Sequence, residues 1–163
     1  FIFLIELKMS RAGTGRQISL SWLPGEYGQV PPNAVQADPG LYIVRARTDG
    51  DVTVGKTKVG HQSGFFPYAG REDMVPRYEV LCDTGLHVWG SEFHWQYMGN
   101  GAVPHNAVVG GHTSTYEPLY IARARIHGEM CVGKVANSHK CGFMPYGGKE
   151  HKVYKYEVLC YRD

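Results

Sequence analysis

Two lysines carry the chemistry most worth following. Lys56 and Lys134 each come directly after a glycine, in Val54-Gly55-Lys56 and Val132-Gly133-Lys134, at matching places in two copies of one pattern. Lysine is rarely buried, so position alone suggests two solvated surface cations. The functional alternative is a pair of ammonium donors at two related ligand sites. Gly50 to Thr57 also matches the phosphate-loop pattern G-x-x-x-x-G-K-T letter for letter. A phosphate loop needs backbone N–H groups wrapped on the anion and a helix behind them. Here the residues between the glycines are β-branched and include Asp51, and Val59-Gly60-His61 does not start a helix. The second copy has Val135 in place of Thr57. A hairpin strand ending in a Gly-Lys turn is the expectation instead.

The other reactive types are weaker signals. Arg45 and Arg47, and likewise Arg123 and Arg125, put two guanidinia on one strand face. They could hold an anion, but Glu79 and Glu157 in the repeated YEVLC blocks are natural cross-strand partners. Cys131, His139, Cys141 and His151 are zinc-ligand types without the usual zinc spacing. The first copy has Thr53, His61, Ser63 and Asp73 in their places. Gly13-Thr14-Gly15 lacks the strand–helix frame of a nucleotide site. No Ser-His-Asp or Cys-His arrangement follows a known elbow, so catalysis is not expected.

These residues must be positioned by a chain of 163 residues, of which 43% are hydrophobic and 20% charged. Such a chain is too apolar to be disordered. Its net charge of +2 excludes a large basic footprint for nucleic acid. No run of about 18 apolar residues is present to span a membrane. Phe1-Ile2-Phe3-Leu4-Ile5 is short and lacks a basic start, and the first Met is Met9, so the chain reads as beginning inside a longer frame. Four Cys are too sparse for a disulfide scaffold. There is also no N-glycosylation sequon. A reducing, cytoplasmic setting is expected, with release to the outside by a non-classical route as the alternative.

Twenty-one Gly and eleven Tyr point to many short elements and an all-β chain. Residues 41–82 align with residues 119–160 at a displacement of 78. LYIVRAR meets LYIARAR, GFFPYAGRE meets GFMPYGGKE, and YEVLC meets YEVLC. Upstream the displacement is 73: Trp22 meets Trp95, and VPPNAV meets VPHNAV. The second copy therefore carries extra residues around Gly110-Gly111-His112-Thr113. Two copies are too few for a solenoid, so two pseudo-twofold-related β-rich subdomains packed together are expected. The boundaries are an N-terminal extension 1–21, a first repeat 22–94 and a second repeat 95–163. Within each copy, Leu41 to Arg47 alternates as a strand. Asp49-Gly50 and His127-Gly128 mark hairpin turns, Pro67 ends the Phe65-Phe66 segment, and Tyr78 to Cys82 forms another strand.

In tandem, these blocks resemble the DM9 repeat family. The resemblance runs from about Trp22 to Cys160 and is stronger in the second copy, with EPLYIARARIHGEM and PYGGKEHKVYKYEVL. The relatives it resembles include tandem-DM9 mannose-binding lectins of oysters. Those are β-rich homodimers of two pseudo-symmetric halves that bind mannose without calcium. Some DM9-bearing proteins carry a farnesoic acid O-methyltransferase label, but nothing here resembles a methyl-donor site.

In the lectins an Asp shortly after the NA[VI] block and the Lys of the Gly-Lys turn hold the sugar. A carboxylate accepts from two hydroxyls and an ammonium donates to the same oxygens. The resemblance carries over onto Lys56 and Lys134. The Asp position falls on Asp38 in the shortened first-copy loop and on Thr113 in the second copy, where a hydroxyl replaces the carboxylate. The resemblance thus implies a calcium-independent mannose-binding lectin of innate recognition, a homodimer with no cofactor and no metal. The alternative is a non-glycan protein-interaction module within a larger protein.

Overall fold

The computed structural model describes residues 19–85 and 92–162. The apolar opening, the Gly13-Thr14-Gly15 pair and all but the end of the expected 1–21 extension lie outside them. Every regular element among the described residues is a strand. The first copy supplies β1 (Leu20–Glu26), β2 (Gln36–Asp38), β3 (Leu41–Thr48), β4 (Asp51–Lys58), β5 (Gly64–Tyr68), β6 (Arg71–Val75) and β7 (Arg77–Asp83). The second supplies β8 (Phe93–Gly99), β9 (Val109–His112), β10 (Pro118–Ile126), β11 (Glu129–Val135), β12 (Gly142–Tyr146), β13 (Lys149–Val153) and β14 (Lys155–Tyr161).

Turn chemistry sets the hairpins. Asp49-Gly50 and His127-Gly128 have positive φ at both residues, 43° and 94°, then 49° and 82°. That is the geometry whose twist matches the flanking strands of a two-residue hairpin. Ala69-Gly70 and Gly147-Gly148 repeat it between β5 and β6 and between β12 and β13.

One sheet threads both copies in the order β1-β7-β3-β4-β5-β6-β13-β12-β11-β10-β14-β8. β9 pairs with both β10 and β4, so the strands from β4 to β10 close into a ring through β9. On the opposite side the copies meet at β6 and β13, where Arg71 pairs with Lys149. The fold is therefore all-β, with two related halves joined into one sheet. The central apolar cluster draws on both: Leu41, Ile43 and Val54 pack with Ile121, Val132 and Leu159. Val44, Phe66 and Val80 form a second cluster in the first copy. Ala122, Met144 and Val158 form its counterpart in the second.

Two expectations are corrected. Gly55-Lys56 is not a turn: both residues lie inside β4, as Gly133-Lys134 lie inside β11. A Cβ on Gly55 would strike the Phe65 carbonyl, and one on Gly133 the Phe143 carbonyl. The glycines are there for this close strand approach. Pro67 does not end its strand either; β5 runs on to Tyr68 with Pro67 opposite Glu72. The N–H of Glu72 points away from β5, to the Gly148 carbonyl at 3.0 Å. Pro67 thus sits in a pair that exchanges no ladder bonds with β6, and its missing N–H falls on the β4 side, where the register has Lys56 opposite Phe65.

Candidate functional site

Both lysines are buried, at 8% exposure each, against the expectation for surface cations. β4 and β11 aim them across the junction between copies. The Lys56 ammonium lies 5.5 Å from the centre of the Tyr146 ring, and the Lys134 ammonium 5.4 Å from that of Tyr68. Tyr68 and Tyr146 are equivalent residues of the two copies. Each lysine is therefore held over the tyrosine of the other half, a contact that favours a cation by the ring's electrostatics.

Carboxylates complete each cluster. Lys134 Nζ is 3.7 Å from Glu150 Oε2, and Glu150 Oε1 accepts the Gly70 N–H at 3.1 Å. In the mirrored place Glu72 Oε1 accepts the Gly148 N–H at 3.1 Å. Burial holds the Lys134 pKa below the ordinary ammonium value, opposed by Glu150, Asp51 and Asp73.

Lys56 donates instead to Cys131 Sγ at 3.2 Å. Burial raises the Cys131 thiol pKa against the pull of Lys56. Nearby, Lys58 donates to Glu129 Oε1 at 2.9 Å. That bond holds the Glu129 carboxyl below its usual range, with the Lys56 charge adding to it.

The two resemblance-derived oxygen donors are placed differently. Thr113 follows β9, and its hydroxyl accepts the Glu117 N–H at 3.0 Å and meets Thr115 Oγ1 at 3.1 Å. The adjoining Ser114 N–H donates to Asp51 Oδ1 at 2.9 Å, which ties this loop to the Lys134 cluster. Asp38 closes β2 opposite Leu41. The Lys56 ammonium turns to Cys131 and Tyr146 rather than to Asp38.

The paired arginines serve the scaffold. Arg45 Nε meets Glu79 at 3.0 Å and Arg123 Nε meets Glu157 at 3.1 Å, as the register of the repeated strands suggested. Their guanidinia lie over Trp22 and Trp95, each at 4.3 Å. Among the described residues no three of His, Cys, Asp and Glu gather as a metal set. His139 packs edge-on to Phe143, and His151 Nε2 lies 2.9 Å from the Tyr146 carbonyl.

Sequence reasoning passed over Tyr68, Tyr146, Glu72 and Glu150. All four sit in the repeated PYxGxE block, so repetition itself was the available signal. Each cluster combines an ammonium donor, a carboxylate acceptor and an aromatic face. Together these can hold a polyhydroxylated ring by its hydroxyls and its C–H face.

Comparison with known proteins bears on this arrangement. The DM9 repeat family model matches residues 38–153. Natterin-4 of Thalassophryne nattereri is 27% identical over 145 residues, covering 86% of this chain and 34% of that protein. The chain thus spans about a third of the length of that relative. Among solved structures, the nematode sperm cell motility protein MFP2B is similar in fold, with a TM-score of 0.63 at 15% identity. That match covers 90% of this chain and 46% of the other.

Proposed function

The chain belongs to the DM9 repeat family, and from that premise we propose that it is a carbohydrate-binding module with two sites, centred on Lys56 and Lys134. In this reading it takes mannose or mannose-containing glycans without calcium, catalyses nothing, and serves recognition of microbial surfaces. One observation carries the reading. Each copy buries an ammonium against the tyrosine ring of the other copy, at 5.5 and 5.4 Å. Burying a charge costs folding free energy, so two such lysines at equivalent places are better explained by a ligand than by stability. A donor, an acceptor and a ring face bind a sugar with no metal required. Asp38 and Thr113 are proposed as flanking contacts, and each repeat, 22–94 and 95–163, as one half of the binding unit.

Two copies are proposed to pair, raising avidity for arrayed glycans. Of the two ends of the sheet among the described strands, β1 carries Pro24, which disfavours further strand addition, whereas β8 carries the exposed Tyr97 at the equivalent place. The sparse cysteine content supports a reducing, cytoplasmic setting.

A second reading has an observation of its own. Among the described strands β8 ends the sheet, and with Tyr97 at 65% exposure that edge suits a protein partner, in a chain that covers a third of Natterin-4. Retention on mannose-agarose, with elution by free mannose in excess EDTA, separates the two. Retention unaffected by chelator supports the lectin. Loss in EDTA restored by Ca²⁺ removes the metal-free site, and no retention leaves the protein-partner reading.

A further inference from the structure

The two lysine clusters are built from equivalent positions, and four of their charges match. Lys56 corresponds to Lys134, Glu72 to Glu150, Asp51 to Glu129, and Arg71 to Lys149. Three positions differ in charge, and all three differ in one electrical direction.

Around Tyr68, the ring facing Lys134, stand Asp49 and Asp73, with Asp51 beside them. Arg71 bridges the first two, at 3.5 Å from Asp49 Oδ2 and 2.6 Å from Asp73 Oδ1. Around Tyr146, the ring facing Lys56, the same places hold His127 and His151, with ring centres 5.5 and 5.9 Å from that of Tyr146. The two imidazoles are 6.2 Å apart, edge to face. The third difference is Lys58, whose ammonium reaches Glu129 across the copies; its counterpart is Ala136.

An imidazole is never an anion in water. The Lys56 cluster therefore lacks two negative charges that the Lys134 cluster has, and it gains one cation. Like charges facing a ligand in a partly dehydrated site are costly, and opposite ones favourable. Asp49, Asp51, Asp73 and Glu150 repel an anion at the Lys134 site. Among the described residues, Glu129 and Glu72 oppose one at the Lys56 site; Lys58 engages Glu129 there as Arg71 engages Asp49 and Asp73 at the other, which leaves the Lys134 site with the larger negative excess.

We propose that the two sites have separate ligands: the Lys56 site takes an acidic saccharide, one bearing phosphate or carboxylate, and the Lys134 site takes the neutral sugar. His127, His151 and Lys58 are the specificity-determining residues. The inference rests on the carbohydrate reading and divides its ligands between the sites.

Calorimetry at pH 7.5 with mannose, mannose 6-phosphate and inorganic phosphate tests it on the whole chain. Mannose 6-phosphate should bind at one site per chain, more tightly than mannose does there. Lys56→Ala should abolish that event and leave mannose at the Lys134 site. His127→Asp with His151→Asp should weaken mannose 6-phosphate by about tenfold or more, with mannose at the Lys134 site unchanged, which also reports that the fold is intact. Lys58→Ala should shift the same preference in the same direction.

Equal preference for the two sugars at both sites overturns the proposal, as does an unchanged preference in the double variant. Inorganic phosphate binding as tightly as mannose 6-phosphate also overturns it, since that marks a bare anion site. If mannose binds and mannose 6-phosphate does not, the carbohydrate reading stands and this one fails. If no sugar binds, both fail.

Discussion

The guanidinium of Arg123 donates through Nη1 to the carbonyl oxygen of Ala37 at 2.6 Å, across the two sequence copies. The equivalent Arg45 reaches the Gly110 carbonyl, Ala37's counterpart, at the longer 3.4 Å. Each copy thus lays one arginine on the short strand of the other. The arginine also stacks on its own copy's tryptophan and pairs with its own glutamate. This reciprocal grip joins the halves and fixes where β4 and β11 present their lysines.

The grip predicts unequal costs. Arg123→Ala leaves the Ala37 carbonyl without its donor and Glu157 without its cation. A half-buried charge-assisted bond of this kind is worth about 2–3 kcal/mol. Arg45→Ala, at the longer distance, should cost about 1 kcal/mol. Urea unfolding of both variants measures this, and equal losses would refute the asymmetry.

Close strand approach gives a second expectation. Gly133→Ala places a methyl against the Phe143 carbonyl, and Gly55→Ala against that of Phe65. The clash is with backbone, which cannot swing aside, so each change should destabilise by about 3 kcal/mol or more. A melting temperature within a degree or so of the parent in both would show that the strands can part there.

At the sugar sites, Lys134→Ala removes a charged donor held beside Glu150, and Lys56→Ala one held beside Cys131. Lys134→Ala should lose about 1.5–3 kcal/mol of mannose affinity, and Lys56→Ala a similar amount of affinity for whichever sugar its own site prefers. Tyr68→Ala should impair the Lys134 site and Tyr146→Ala the Lys56 site, because each ring serves the other copy's lysine. Titration of the four variants tests this crossed pattern. A tyrosine variant that impairs the site of its own copy would contradict it.

Much of this architecture is legible in the sequence, for reasons that are local. The Asp49-Gly50 and His127-Gly128 turns, the alternation of Leu41 to Arg47, and the Arg45–Glu79 and Arg123–Glu157 pairings follow from spacing along one strand or between repeated strands. The burial of Lys56 and Lys134 does not. It depends on Tyr146 and Tyr68, each in the other copy, and no local pattern says that the copies share one sheet. The change of displacement from 73 to 78 marks where they interlock. The inserted loop lengthens β9, which among the described strands pairs with both β10 and β4, whereas β2 stops at Asp38. Pro67 differs for the opposite reason: a proline interrupts only the ladder its N would face, and nothing local shows which side of β5 that is.

Stability should fall in alkali. Tyr78 and Tyr156 are equivalent, and their hydroxyls donate to the Gln29 carbonyl at 3.0 Å and the Ala102 carbonyl at 2.9 Å. Burial raises both phenol pKa values above the ordinary 10.0. Burial likewise raises the Cys82 and Cys131 thiols above 9.0. In the unfolded chain these groups release their protons near the ordinary values, while in the folded chain they hold them. Their stabilisation is complete below the ordinary values and is lost as pH climbs through the raised ones. Lys134 acts the other way. Its lowered pKa means that the unfolded chain holds the proton longer, so stability gains as pH rises toward 10.5. Several buried acids oppose one buried base, so the net expectation is loss of stability from about pH 9 upward. Tyr78→Phe with Tyr156→Phe removes two of the acids. That variant should lose about 1 kcal/mol per hydrogen bond at neutral pH and show a shallower alkaline decline. Urea unfolding from pH 7 to about pH 11 measures both slopes, and a parent stability that stays level or rises over that span would show that these groups are not buried as described.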